Sequence, residues 1–332
     1  MPRFSIIVPI YNRPDEAGEL LDSLYKQSSK NFELVLVEDG SSMPSDKVVE
    51  RYKSLFTINY ITKPNTGRSD TRNIGMQNAV GEYFIFFDSD CIIPPDYFKV
   101  LEDYFDKDYA DCFGGPDNAH ESFSDMQKAV NYAMTSFFTT GGIRGGKVNM
   151  EKFTPRTFNM GFSRKVYETV GGFKDMFGED IDLSMRIREA GFSTKLYHNA
   201  FVYHKRRVSL KKFYKQVNIF GTARINLYKL YPQSLKIVHT LPALFTLGCI
   251  MLVLLSLIFW NYYFLLPLAF YTLLLFFDSL FRNKNLKIAA ISVVACYIQL
   301  FGYGLGFIKS FIQKIILRKG LEDIETLKRV YK

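Results

Sequence analysis

Three long apolar runs in the last third of the chain constrain its fold more than any other feature. They cover Thr240–Trp260, Tyr262–Phe281 and Ile288–Ile308, and the only charged residue within them is Asp278 in the second run. Each run has about the 20 residues that a helix needs to cross a bilayer. Burial inside a soluble core is the alternative, but three consecutive apolar helices would need a far larger protein to cover them. We therefore predict membrane-embedded helices over residues 239–308.

The positive charge of the chain is concentrated around these runs. From Lys205 onward there are 19 Lys and Arg against 4 Asp and Glu, whereas the first 204 residues carry 23 against 29. A basic surface can indicate nucleic acid, but one that brackets apolar runs favours anionic membrane lipids instead. We predict a basic amphipathic segment over residues 205–238 that lies on the membrane, with a solvated basic face as the alternative. Its apolar residues would be Phe213, Tyr214, Phe220, Leu227 and Tyr228.

The location and topology follow from the flanking residues. No cleavable signal precedes the first apolar strand, so we expect the front of the chain in the cytoplasm of a multi-pass protein of the inner (plasma) membrane. Three spans would place the basic tail, residues 309–332, outside, against the positive-inside tendency. Two spans, with the third run re-entrant or shallow, would keep the tail in the cytoplasm. We favour a cytoplasmic tail, and the choice between two and three spans stays open.

The first 204 residues have the pattern of an α/β domain. Short apolar runs at Ile6–Val8, Leu34–Val37 and Tyr83–Phe87 alternate with stretches of helical spacing such as Ala17–Leu24. Strands that are apolar on both faces suit a mostly parallel sheet covered by helices. The four cysteines have no paired spacing, which argues against a disulfide framework or a zinc site.

Carboxylates follow the predicted strands at their ends. The apolar run before Asp88 and Asp90 ends abruptly at this Asp-x-Asp pair. Ligands bind beyond the carboxyl ends of parallel strands, and the same rule selects residues 9–12 and 38–40 after the first two strands. Two oxygen donors at a rigid strand end suit a hard divalent cation that keeps positions open for phosphate oxygens. An isolated Asp-x-Asp is also compatible with a solvated turn.

The order and spacing of these motifs resemble those of family 2 glycosyltransferases with the GT-A fold, which have a Rossmann-like, mostly parallel sheet. The resemblance spans roughly residues 4–225. Three departures are Asp70, where small residues are usual, Cys91 directly after the Asp-x-Asp pair, and the missing Gln-x-x-Arg-Trp signature of processive synthases. The last departure disfavours a polymerase. The matching segments are residues 8–13, 37–42, 65–67, 71–75, 81–90, 170–173 and 178–183, with Arg186 and Gly191 in step.

The resemblance implies a metal-dependent, inverting transferase that uses Mg²⁺ or Mn²⁺. It places most of the direct coordination on Asp90, with Asp88 nearer the ribose or an outer water. His204 matches a position where histidine serves as a further metal ligand or contacts the diphosphate. A structural histidine is the alternative for His204.

The resemblance also implies a nucleotide-sugar donor, either a UDP-sugar or a GDP-sugar. Asp39 would accept hydrogen bonds from the base or ribose, and its alternative is a role as a helix cap or turn former before Ser41 and Ser42. Arg72 would bridge the diphosphate or orient the metal carboxylates, and its alternative is a structural ion pair with Asp70 or Asp88. The expected nucleotide-binding residues are Pro9, Tyr11, Asn12, Asp39, Arg72 and Asp88.

Deprotonation of the acceptor hydroxyl is assigned by the resemblance to Asp180, with Glu179 as the second choice. Both residues precede a predicted amphipathic helix over residues 181–189, so capping of the helix dipole is the structural alternative. Asp182 is expected to be structural or to orient the acceptor. Residues 139–146 contain four glycines around Arg144, which suggests either a loop that closes over substrate or a linker. Asn159 is expected to contact a sugar.

These expectations combine into one predicted function. The chain would transfer a sugar to a lipid-linked acceptor, a polyprenyl phosphate or a saccharide on its diphosphate, at the cytoplasmic membrane face, for assembly of a surface polysaccharide or glycan. One alternative is a polyprenyl-phosphate monosaccharide synthase. A scaffold or transporter component without transferase activity is the alternative from another class. The apolar runs carry almost no ionisable residue that would mark a transport pathway.

Overall fold

The computed structural model describes residues 2–140 and 153–318. The described residues form two compact units, of which the first contains residues 2–120 and 153–205 and the second contains residues 121–140 and 206–318. The sequence predicts a front domain over residues 1–204. Residues 121–140 fall within that range but group with the apolar helices in the structure. Their hydropathy gives no sign of this, because they join the second unit through tertiary packing.

A seven-stranded sheet forms the centre of the first unit. The strands of this unit are β1 (Phe4–Ile10), β2 (Phe32–Asp39), β3 (Ile58–Lys63), β4 (Tyr83–Phe87), β5 (Cys91–Ile92), β6 (Cys112–Gly114), β7 (Asp117–Asn118), β8 (Asn159–Ser163), β9 (Thr194–Leu196) and β10 (Val202–His204). The order in the seven-stranded sheet is β3-β2-β1-β4-β8-β6-β9. Neighbouring strands are parallel except at β8, which runs antiparallel to both β4 and β6. The prediction of a mostly parallel α/β sheet is confirmed.

Helices cover both faces of this sheet. Alternate strand residues point to opposite faces, so that Phe4, Ile6 and Val8 of β1 join one buried cluster while Ile7 joins another. The first cluster includes side chains of α1 and α4, and the second those of α3, α7 and α8. Burial on both faces explains why the strands read as continuous apolar runs. The helices of this unit are α1 (Pro14–Tyr25), α2 (Asp46–Glu50), α3 (Arg68–Gln77), α4 (Tyr97–Lys107), α7 (Arg164–Val170) and α8 (Glu179–Glu189).

A second, three-stranded sheet joins β5, β10 and β7 in that order. The strands β5 and β10 are antiparallel, with His204 opposite Cys91. The residues just after β4 and those at the end of the first unit are thereby brought side by side. This pairing, which the sequence pattern did not predict, places His204 beside the Asp-x-Asp pair.

The second unit is helical throughout its described part. Three of its helical segments are long and apolar enough to span a membrane: Leu241–Ile258, Tyr262–Asn283 and Leu286–Ile316. They agree with the three predicted runs, and the third continues past residue 308, where we expected the tail to begin. Residues 319–332 of that predicted tail lie outside the described residues. The helices of this unit are α5 (Asp125–Thr135), α6 (Phe137–Thr140), α9 (Leu210–Leu230), α10 (Leu241–Ile258), α11 (Leu266–Asn283) and α12 (Leu286–Phe311).

The basic helix α9 packs tightly on α12. A Cβ atom at Gly306 would collide with the carbonyl oxygen of Asn218, and one at Gly221 would collide with that of Tyr303, so the two backbones touch at these glycines. As a result Phe213 of α9 is fully buried within the protein. Leu227 is buried as well. We expected these two apolar side chains to face lipid, but they are buried within the protein. The lysines of the first turns of α9 are exposed.

Candidate active site

The strand order brings three predicted segments to one edge of the large sheet. The strands β2, β1 and β4 are neighbours and parallel, so their carboxyl ends lie side by side. Tyr11 and Asn12 follow β1, Asp39 ends β2, and Asp88 directly follows β4. This is the edge at which parallel α/β sheets bind ligands. The segments that the sequence selected separately thus share one side of the fold.

Asp88, Asp90 and His204 form a cluster beyond this edge. The imidazole Nε2 of His204 lies 3.2 Å from Oδ1 of Asp90 and 3.9 Å from Oδ2 of Asp88. Its ring stacks on Phe158, with 4.7 Å between the ring centroids, which fixes its orientation. Potential ligand atoms of Asp90, Cys91 and His204 all lie within 4.8 Å of one another. The structure thus brings together Asp88, Asp90 and His204, the residues that the sequence analysis assigned to metal binding.

The donor set of this cluster fits a hard divalent cation. Oδ1 of Asp90 is buried and accepts no well-aligned hydrogen bond from the described residues, and the Nδ1 atom of His204 is likewise buried without one. A buried carboxylate oxygen whose near partner is a poorly aligned imidazole keeps the capacity to bind a ligand. Burial raises the pKa of the Cys91 thiol, with Asp90 and Asp88 adding to the effect, so the neutral sulfur is a poor ligand. Oxygen and imidazole donors remain, a set suited to Mg²⁺ or Mn²⁺.

Arg13 forms an ion pair with Oδ2 of Asp90 through its Nη1 atom. Burial alone would raise the pKa of Asp90, but His204 and the Arg13 guanidinium outweigh it and hold the pKa of this carboxyl well below its usual range. Asp90 therefore stays ionised, as a cation ligand must. The sequence analysis gives Arg13 no role, although it lies in the first matching segment, residues 8–13. Its position directly after Asn12 is the signal that could have identified it as a site residue.

The turn after β1 is held by the turn after β2. Asn12 has a left-handed backbone conformation with φ of 54°, and its backbone N–H donates to Oγ of Ser41 at 2.7 Å. Its side-chain oxygen accepts from the backbone N–H of Met43 at 3.0 Å and from Oγ of Ser42 at 3.0 Å. Tyr11 is exposed beside it. The side chain of Asn12 is thus used to join two loops, and Tyr11 keeps an accessible ring.

Asp39 organises the loop between β3 and α3. Its carboxylate accepts the backbone N–H groups of Thr66 at 2.9 Å and Gly67 at 3.1 Å. It also accepts from the Lys63 ammonium and, at 3.3 Å, from the Asn65 side-chain amide. The structural alternative for Asp39 includes a turn before Ser41. The turn that Asp39 stabilises is instead the one at residues 65–67.

Arg72 is buried and contacts two carboxylates. Its Nη2 atom lies 2.8 Å from Oδ1 of Asp88, and its Nη1 atom lies 3.4 Å from Oε1 of Glu179. The other oxygen of Glu179 accepts from Nη2 of Arg68 at 2.8 Å. Asp70, the other partner that we considered for Arg72, instead lies 3.4 Å from the Lys63 ammonium.

Asp180 lies in the first turn of α8, beside Glu179. Its Oδ1 accepts the backbone N–H of Ile181 at 2.8 Å, and its Oδ2 accepts from Nη1 of Arg156 at 3.2 Å. Asp182 is fully buried and accepts from Nε of Arg186 at 2.8 Å and from Nζ of Lys174 at 3.2 Å. The three carboxylates of this turn thus have different surroundings.

Two further expectations have a clear outcome. Asn159 is fully buried, and its side chain donates to the carbonyl oxygen of Ala200 at 2.8 Å and accepts from the Tyr97 hydroxyl at 2.6 Å. The expected contact of Asn159 with a sugar is therefore wrong, because its hydrogen-bonding groups are used inside the fold. Most of the glycine-rich loop at residues 139–146 lies outside the described residues.

Comparison with known families identifies the domain. The model of the family described as Glycosyl transferase family 2 matches residues 5–171, about half of the chain. The chain belongs to this family. The predicted family is confirmed, and with it the glycosyltransferase class of the enzyme.

Relatives of this family 2 glycosyltransferase include an uncharacterized glycosyltransferase of Rickettsia felis, 28% identical over 137 residues, which are 41% of this chain and 22% of that protein. Glycosyltransferase GlyA of Streptococcus pneumoniae is 38% identical over 100 residues, 30% of this chain and 14% of that protein. The poly(ribitol-phosphate) beta-N-acetylglucosaminyltransferase TarS of Staphylococcus aureus is 33% identical over 115 residues, 33% of this chain and 20% of that protein. The matches thus span less than a quarter of each of these relatives.

A solved structure supports the fold over nearly the whole chain. The mannosyltransferase PcManGT from Pyrobaculum calidifontis, in complex with GDP-Man and Mn²⁺, aligns with a TM-score of 0.59 at 15% identity and covers 96% of this chain and 88% of that one. At this identity the likeness speaks for the fold alone. The predicted GT-A fold is confirmed.

Proposed function

We propose that the protein transfers a sugar from a nucleotide-sugar donor to a lipid-linked acceptor, with inversion at the anomeric carbon. The single observation that carries this proposal is the cluster of Asp88, Asp90 and His204 at the ligand-binding edge of a family 2 glycosyltransferase domain. The donor would be a UDP-sugar or a GDP-sugar. PcManGT, which has the same fold, binds GDP-Man together with Mn²⁺.

Asp90 and His204 would hold the metal ion, with Asp88 beside them. A bound Mg²⁺ or Mn²⁺ would stabilise the negative charge of the departing nucleoside diphosphate. Arg13 and Arg72 would orient the two carboxylates through charge-assisted contacts. The exposed ring of Tyr11 and the joined loops around Asn12 and Asp39 would receive the nucleoside, and Pro9 lies just before them in β1.

Asp180 would accept the proton of the acceptor hydroxyl. A general base needs an oxygen that can approach that hydroxyl to hydrogen-bond distance. Each oxygen of buried Glu179 already contacts an arginine, whereas Asp180 has a single ion pair, to partly exposed Arg156. This difference favours Asp180 over Glu179. Attack from the face opposite the nucleotide would invert the anomeric carbon.

The acceptor is proposed to be a polyprenyl phosphate or a saccharide on its diphosphate, presented at the cytoplasmic face of the inner membrane. Three helical segments of the chain are long and apolar enough to span a membrane. The exposed lysines of α9, Lys211, Lys212 and Lys215, would add attraction to anionic lipid headgroups. A glycosyltransferase domain covalently joined to such helices is best used on a substrate that stays in the membrane, as in the assembly of a surface polysaccharide or glycan.

A donor screen on lipid extracts tests this function. The purified full chain in detergent would be incubated with each of several UDP- and GDP-sugars, Mn²⁺ and membrane lipid extract, and lipid products identified by mass spectrometry. We expect one donor to yield a glycosylated lipid, and none with the Asp90→Ala variant. A product that is a single sugar on polyprenyl phosphate would identify a monosaccharide synthase instead. Absence of both transfer and donor hydrolysis with every sugar would support the scaffold alternative.

A further inference from the structure

Arg72 connects the carboxylate that follows β4 with the first residue of α8. Its guanidinium is only 3% exposed and lies 2.8 Å from Asp88 and 3.4 Å from Glu179. Arg72 is thereby in ion-pair contact with both segments. Because the next residue after Glu179 is Asp180, one buried cation lies between the proposed metal site and the proposed base.

Arg68 supplies the opposing contact. It lies one helical turn before Arg72 on α3, and its Nη2 atom contacts Oε2 of Glu179 at 2.8 Å. Its guanidinium also lies over the Phe177 ring, 5.0 Å from the centroid. Glu179 is therefore shared by two arginines, while Arg72 is shared by two carboxylates. A guanidinium that lies between two carboxylates can move closer to one only by moving away from the other, and Coulomb attraction falls with distance, so its two contacts compete through its position.

We infer that Glu179 is a positioning residue that sets how strongly Arg72 holds Asp88, and so tunes metal–nucleotide binding. This inference rests on the proposed metal-dependent function. With Glu179 present, Arg72 is drawn partly toward α8 and leaves Asp88 available to a cation. The same contacts fix the start of α8, and with it Asp180. Glu179 thus acts through Arg72 and never touches the substrate.

Two substitutions should then act in opposite directions. Glu179→Gln keeps the side-chain shape but removes the negative charge. Arg72 then has Asp88 as its only remaining carboxylate contact of the two, and it competes more strongly with the cation for Asp88. Arg68→Gln leaves Glu179 to Arg72 alone, which loosens the hold of Arg72 on Asp88. We expect Glu179→Gln to weaken Mn²⁺ binding in the presence of nucleotide by about 3- to 10-fold, and Arg68→Gln to strengthen it by a smaller factor, since a tenfold change is about 1.4 kcal/mol.

The experiment measures Mn²⁺ binding directly. The purified full chain in detergent is titrated with Mn²⁺ at saturating UDP, and again at saturating GDP, and free Mn²⁺ is followed by electron paramagnetic resonance. Glu189→Gln is the matched control, since Glu189 is exposed at the other end of α8 and has no ion pair among the described residues. It should bind Mn²⁺ as the wild type does. Melting temperatures of all variants are measured in parallel.

The outcomes separate this inference from the proposed function. Opposite shifts for Glu179→Gln and Arg68→Gln support the inference, because a purely structural role would weaken binding in both. Losses of similar size in both, or unchanged binding in both, overturn it. Unchanged Mn²⁺ binding with transfer lowered more than about 100-fold in Glu179→Gln would make Glu179 the base. A wild type that binds neither nucleotide with any dependence on Mn²⁺ would overturn the metal-dependent function itself.

Discussion

His204 Nε2 lies 3.2 Å from Oδ1 of Asp90, and the contact is a consequence of strand pairing. The strand β10 ends at His204 and runs antiparallel to β5, which begins one residue after Asp90. Two hydrogen-bonded strands fix the spacing of their side chains far better than a loop could. The imidazole and the carboxylate are therefore held ready for a shared ligand.

Loss of Asp90 should abolish sugar transfer. Asp90→Ala removes the ionised carboxylate that we propose as principal metal ligand, and a metal ion contributes several kcal/mol of charge stabilisation, equivalent to at least about 10²-fold in rate. EDTA should have the same effect on the wild type, with recovery on adding Mn²⁺ or Mg²⁺. The readout is transfer from the donor found in the screen. Asp103→Ala, on the exposed face of α4, is the control and should stay active. Full wild-type activity in EDTA would contradict the metal site.

Asp180→Asn should lower transfer by about 10² to 10⁴-fold, the usual range for loss of a general base. The amide keeps the shape of the side chain and can still accept the Ile181 backbone N–H, but it cannot take a proton at neutral pH. Binding of the nucleotide with Mn²⁺, measured by calorimetry, should stay near the wild-type value. A parallel collapse of nucleotide affinity would instead assign Asp180 to binding or folding.

Asp182→Asn should act on stability. Asp182 is buried and bonded to Arg186, whose guanidinium also donates to the carbonyl oxygens of Val170 and Gly172. Removing one partner of a buried pair leaves the other charge uncompensated, at a cost of about 3 kcal/mol. We expect a lower melting temperature, with the Mn²⁺ affinity of the remaining folded protein unchanged. A variant as stable as the wild type would show that Asp182 is not needed to hold α8.

The lysines of α9 should matter only with lipid acceptors. Each basic residue near an anionic leaflet contributes about 1 kcal/mol, so replacing Lys211, Lys212 and Lys215 with Glu should weaken transfer in anionic bilayers and leave donor hydrolysis intact. The control replaces three exposed lysines of the first unit, Lys26, Lys99 and Lys165. Equal loss of both activities would mean that the α9 lysines support the fold, and unchanged lipid transfer would make them a solvated face.

Because α9 packs closely on α12, we predict that larger side chains are not tolerated at the glycines where the two helices touch. A side chain at Gly306 would overlap the carbonyl oxygen of Asn218, which is backbone and cannot turn away. Gly306→Val should therefore destabilise the second unit by about 1–3 kcal/mol, as overpacking does. Gly248→Val in α10 is the matched control, because nothing lies within 4 Å of its added Cβ. Thermal unfolding in detergent compares them. Equal melting temperatures would refute tight contact between α9 and α12.

The sequence by itself determined the elements whose signal is local. Apolar runs at Ile6–Val8, Leu34–Val37 and Tyr83–Phe87 became central strands of the sheet, because strands buried on both faces need apolar side chains at every position. The three runs of membrane length became three helical segments for a similar reason, since length and hydropathy are properties of consecutive residues. The motif order also identified the family.

Tertiary structure decided the partners of the charged groups and the grouping of distant segments. Three ion pairs are not specified by any local pattern: Arg13 with Asp90, Arg156 with Asp180, and Arg72 with Glu179. The carboxylate of Asp39 could have served either adjacent turn, and only the packing of β2 beside β3 selects residues 65–67. The grouping of residues 121–140 with the apolar helices could not be predicted for the same reason. Contacts between residues far apart in sequence depend on how strands pair and helices pack, which local composition does not encode.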